Sequence, residues 1–241
     1  MRKWPSSLTS PRYCLTTISS ISDGRGNVND SALPECQLLE IDAYVRKLQG
    51  TTGSNTDPGW FWMDTLCIPS HLIISTEYKE ETRASFKRST EEAVGTLVLD
   101  ADIRQMSREF TYSEAFLRIN FSSWSSRMWT LQEAVLTPRI FLQLKDDIAD
   151  LQDIVTAPGT DVNSLNLPVE PFTIYDKLRK FLSGGCDGDS IRSPAHLALL
   201  HRALRDRRTS NEVDKRLILA NLLGMDVKSV PENMYEQVLS Q

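Results

Sequence analysis

Apolar positions along this chain fall into strand-like runs and helix-like stripes that alternate. Trp60-Phe61-Trp62-Met63-Asp64-Thr65-Leu66-Cys67-Ile68 is nearly continuous in apolar and aromatic residues, as a strand covered on both faces should be. Gly95-Thr96-Leu97-Val98-Leu99-Asp100 and Arg139-Ile140-Phe141-Leu142-Gln143-Leu144 repeat the pattern. Between the first two lie residues 77–93, rich in Glu, Lys and Arg, with a thin apolar face of Phe86, Ala93 and Val94. That stretch reads as a surface helix. Strand, helix and strand in succession make a βαβ unit, hence a parallel sheet with a right-handed crossover. The pattern predicts strands over 60–67, 96–100 and 139–144, with helices on both faces. Arg12–Ile18, with its β-branched residues, predicts a first strand.

Helical spacing appears elsewhere. Leu38, Leu39, Ile41, Tyr44, Val45 and Leu48 predict a helix that ends before Gly50. Ser125 to Thr137 reads as one helix stopped by Pro138, with Met128, Leu131 and Val135 on one face. In the tail, Ser193 caps a helix with Pro194 in its first position and Leu197, Leu200 and Leu204 as its stripe. Asp214 opens another helix, which carries Leu217, Ile218, Leu219, Leu222 and Leu223 and closes at Gly224. Loop chemistry marks residues 22–27, 51–58, 156–170 and 184–189. The layout predicts an α/β domain over 1–155, with a parallel-centred sheet flanked by helices. Residues 156–241 form a linker and a C-terminal helical appendage packed on it.

Composition narrows the function classes. At 241 residues, 40% hydrophobic, the chain can bury a large core without disulfides or metals. Its net charge of -5 argues against a nucleic-acid partner, which would need a surplus of Lys and Arg. The densest basic run, Arg202, Arg205, Arg207 and Arg208, is broken by Asp206 and reads as a solvated helix face. No apolar run of signal-peptide length follows Met1-Arg2-Lys3-Trp4-Pro5, and none reaches the roughly 18 residues of a membrane span. A soluble, cytoplasmic protein is expected. Cys14, Cys36, Cys67 and Cys186 form no paired motif, so all four are expected reduced, Cys67 in the core. His196 and His201 stand about 140° apart on a helix, and His71 is alone. No metal site is expected. Neither a glycine-rich phosphate cradle nor a nucleophile elbow is present.

Three segments in order resemble the fungal heterokaryon-incompatibility (HET) domain family. They are Trp62-Met63-Asp64-Thr65-Leu66-Cys67-Ile68-Pro69, Ala93-x-x-x-Leu97-Val98-Leu99-Asp100 and Arg127-Met128-Trp129-Thr130-Leu131-Gln132-Glu133-Ala134. A looser match joins Arg208-Thr209-Ser210 to Asp214-Lys215 and Leu222-Leu223-Gly224. Two family features are altered: Tyr13-Cys14-Leu15-Thr16-Thr17 stands where a Ser-Tyr-x-Trp-Gly motif is usual, and Phe86-x-x-Ser89-Thr90 where Met-x-x-Ile-Tyr is usual. The resemblance implies an effector domain of fungal non-self recognition and regulated cell death, acting by self-association or protein partners. It also implies a remote similarity to TIR domains and flavodoxin-like sheets. Some TIR domains hydrolyse NAD, so the rival reading is an NAD glycohydrolase with NAD as substrate and no bound cofactor. A degenerate, inactive copy is the third.

The sharpest chemical pattern is Trp129 and Glu133, four apart and therefore stacked one turn apart on a helix. A carboxylate among apolar neighbours must find donors or a cation, or take up a proton. As a catalytic residue, Glu133 would bind ribose hydroxyls and stabilise positive charge at an anomeric carbon, with Trp129 and Arg127 as ligand-binding neighbours. As a structural residue it would pair with Arg127 or cap backbone nearby, with Trp129 in the core. Asp64, near the carboxyl end of its strand, is the second catalytic candidate, because ligands in open parallel sheets bind outside that end. Its bland alternative is again a salt bridge, with Arg127 the suggested partner. Asp100 is expected to cap a helix over 101–108.

Overall fold

The computed structural model describes residues 12–18, 34–52, 60–63, 90–156, 170–183, 193–209, 212–231 and 233–239. The protein is mixed α/β. Strands β1 (Arg12–Ile18), β2 (Trp60–Trp62), β3 (Gly95–Asp100), β4 (Ile140–Gln143) and β5 (Ile148–Asp150) form one sheet in the order β2-β1-β3-β4-β5. β1 pairs in parallel with β2 and β3, and β3 with β4; β5 alone of these runs antiparallel. The reason is local: β5 follows β4 through a short turn in which Leu144 N–H donates to Asp147 O at 2.8 Å, and a short turn reverses direction.

Side chains alternate across the sheet. Leu97, Leu99 and Phe141 face helix α1 (Glu35–Thr52) and pack with its Ile41, Val45 and Leu48. Val98, Ile140 and Leu142 face the other way, into a larger core. That core is built from α2 (Tyr112–Asn120), α3 (Ser123–Ser126), α4 (Met128–Leu136), α5 (Leu151–Thr156), α6 (Glu170–Ser183), α7 (Pro194–Leu204), α8 (Glu212–Leu222) and α9 (Met234–Leu239). Helix α4 packs against both α6 and α8, so helices on either side of residue 155 contribute to one cluster.

The element ends obey their local chemistry. Thr111, Ser122 and Ser193 cap α2, α3 and α7 with side-chain oxygens, and Pro194 starts α7 as expected. Gly224 has φ 61 and closes α8, with Met225 N–H donating to Ala220 O at 2.9 Å, the double-bonded stop that favours glycine. At the start of β3, a Cβ on Gly95 would stand 2.6 Å from the Phe141 ring and 2.9 Å from Arg139 O, so glycine is what lets β3 and β4 approach.

Several expected boundaries move. Helix α1 runs through Gly50 to Thr52 rather than ending before it. The helix expected over 125–137 is two helices: Arg127 is extended at φ -90, ψ 141, and α4 starts only at Met128. Helix α8 begins at Glu212, not Asp214. Of the strand expected over 60–67, Trp60–Trp62 is strand, Met63 lies past its end and 64–67 are outside the described residues; Thr90 and Glu91 end the described part of the charged helix. Asp64, Cys67, His71 and the loops at 156–170 and 184–189 lie largely or wholly outside the described residues.

Candidate functional site

In an open parallel sheet the carboxyl ends of the strands are where ligands bind. Asp100 ends β3 there and is buried. Its Oδ1 accepts the N–H groups of Asp102 at 2.9 Å and Ile103 at 3.2 Å, and its Oδ2 accepts Trp124 N–H at 3.0 Å. One carboxylate thus holds a 3-10 turn (Ile103–Gln105) and the start of α3. This refines the expected cap over 101–108: the turn is shorter and a second helix shares the acid. On the opposite face of the sheet, toward α1, buried Gln143 at the end of β4 donates through Nε2 to Tyr44 Oη at 2.7 Å. Glu40 Oε1 accepts from Tyr44 Oη at 3.2 Å and from Arg104 Nη2 at 2.7 Å.

Helix α4, which carries Trp129 and Glu133, descends from that edge to the opposite one. Its predecessor α3 is anchored to Asp100 at the end of β3. Past its own end, Thr137 Oγ1 bonds Thr96 Oγ1 at 3.1 Å, at the beginning of β3. Trp129 therefore lies near the ligand-binding edge, and Glu133 one turn farther from it.

Each member of the pattern has a definite place. Glu133 is 7% exposed and has an interaction partner, and its backbone carbonyl accepts Thr137 Oγ1 at 2.8 Å. The Trp129 ring, half-buried, donates through Nε1 to Asp214 Oδ2 at 2.9 Å. Gln132 is fully buried, and its Oε1 accepts Asn221 Nδ2 at 2.9 Å. Its Nε2 has no hydrogen-bond partner among the described residues. Arg127 is exposed, six residues before Glu133, and the expected Glu133–Arg127 ion pair is not formed. What Arg127 contributes is backbone: Met128 N–H donates to Arg208 O at 2.9 Å, and Arg208 N–H to Ser126 O at 2.7 Å.

A second clasp closes over the same joint. Arg207 Nη1 donates to Arg127 O at 2.8 Å and to Thr130 Oγ1 at 3.0 Å, while Nη2 donates to Tyr175 Oη at 2.9 Å. At the far end of α4, Arg179 Nη2 donates to Ala134 O at 2.8 Å and Nε to Val135 O at 3.2 Å. These are last-turn carbonyls that the helix itself leaves unpaired. Burial lowers the Arg179 guanidinium from its ordinary value, opposed by the carboxylate of Asp176 beside it.

The site therefore brings Trp129, Gln132 and Glu133 together with Arg207, Asp214 and Asn221, from segments that are far apart in sequence. Spacing alone missed the last three. A signal was present, because the two segments joined here, 127–134 and 208–224, are both carriers of the family resemblance. No group of three or more metal-ligating side chains occurs among the described residues, and no helix among them is long and apolar enough to cross a membrane. Comparison with models of protein families, with curated proteins and with solved structures finds no match.

Proposed function

We propose that this chain is a HET-type effector domain that works in the cytoplasm through protein contacts, by self-association or a protein partner, in fungal non-self recognition and regulated cell death. The observation that carries the proposal is the enclosure of Glu133. A glycohydrolase needs its carboxylate open to a nucleotide, whereas Glu133 is 7% exposed on a helix locked to the C-terminal segment through Trp129–Asp214 and Gln132–Asn221. A protein-contact domain needs exposed apolar surface instead. Leu117 and Phe121, one turn apart at the end of α2, are 51% and 79% exposed. The strand order β2-β1-β3-β4 supports a flavodoxin-like or TIR-like ancestry for the sheet, and in this reading the helices after residue 156 are an appendage packed on it.

Expression of the chain in fungal cells tests this reading. Growth arrest with cellular NAD unchanged is the expected result. The double substitution Leu117→Ser with Phe121→Ser should abolish arrest while leaving the melting transition of the purified protein in place, since both side chains already face water. Arrest accompanied by falling NAD, or untouched by the double substitution, would overturn it.

A further inference from the structure

The isolated parallel bridge between Arg127 and Arg208 sets two arginines opposite each other across paired backbones, where bridged residues project to the same side. We infer that this pair is a binding site for a compact phosphate dianion, either inorganic phosphate or the phosphate of a small monoester.

Both arginines are exposed, and neither pairs with a carboxylate among the described residues. Of the acids near Arg208 in sequence, Asp206 bonds Arg205 at 3.3 Å and Asp214 bonds Trp129 and Thr209. Like charges side by side across paired backbones repel, so the bridge holds a local excess of positive charge that a dianion relieves. Two guanidinium forks offer paired N–H donors that match tetrahedral oxyanions. Arg207 is not part of the site, since its Nη atoms are spent on Arg127 O, Thr130 and Tyr175. The start of α4 beside the pair adds potential of the same sign, and the Arg127 side chain makes no cap hydrogen bond there. An extended polyanion is a poorer fit. The chain carries a net charge of -5, and long-range repulsion grows with the length of such a ligand while the cationic spot does not.

The test uses the full chain and inorganic phosphate, with melting temperature measured in phosphate and in chloride at matched ionic strength. Wild type should melt higher in phosphate by a saturable shift. In Arg127→Gln and in Arg208→Gln the phosphate concentration for half of that shift should rise at least about tenfold, the loss of one charge-assisted contact. Arg205→Gln, which removes a neighbouring arginine outside the bridge, should keep the wild-type shift. In chloride, both bridge variants should melt no lower than wild type, because each removes a repulsion. A shift of equal size and midpoint in all four proteins would overturn the site. So would a lower melting temperature in chloride for both bridge variants, or stabilisation by a single-stranded oligonucleotide but not by inorganic phosphate.

Discussion

Asp100 and Glu133 are both buried carboxylates on the same core, and they differ in what surrounds them. Asp100 meets three backbone N–H groups and so acts as a peg between β3, a 3-10 turn and α3. Asp100→Ala should leave those donors without an acceptor and cost about 2–3 kcal/mol in urea unfolding; a variant within about 0.5 kcal/mol of wild type would show that the peg carries no load. The sequence displayed Asp100 as a capping acid after an apolar run, and that much was legible because caps are local. Glu133 was legible as a residue to notice but not in its surroundings. Its expected partner, Arg127, was chosen for charge and proximity along the chain, whereas in the structure Arg127 points to water and its backbone does the work. Asp64 lies outside the described residues, so its role stays an expectation.

At the scale of elements, β1, β3, β4, α7 and the glycine stop of α8 were readable from periodicity, capping residues and turn chemistry. The break between α3 and α4 was not. No glycine or proline stands at 127; the helix is interrupted because Arg127 leaves helical geometry to pair with Arg208, and Thr130 Oγ1 then bonds Trp124 O. A contact made by a residue 81 positions away carries no local signal. A separation of 85 positions likewise hides the Trp129–Asp214 hydrogen bond. Its contribution can be isolated by a double-mutant cycle with Trp129→Phe and Asp214→Asn, for which a coupling of about 1–2 kcal/mol is expected. Additive losses would mean that α4 and α8 are held together by apolar packing alone.

For the whole molecule, the hydrophobic runs announced a parallel sheet with helices on both faces, and that is its architecture, with β5 added antiparallel at the edge. Helix α4 and the C-terminal helices share one core, and within it Glu133 has two proposed roles, catalytic acid or internal joint. Glu133→Gln separates these roles most directly, measured as melting and as nicotinamide release from NAD on the same purified protein. The expected result is no release above the buffer blank by wild type, with the variant destabilised by about 1.5–3 kcal/mol through loss of a charge-assisted interaction. Nicotinamide release by wild type that falls on the order of 10²-fold in a variant with unchanged melting would contradict it and make Glu133 a catalytic residue.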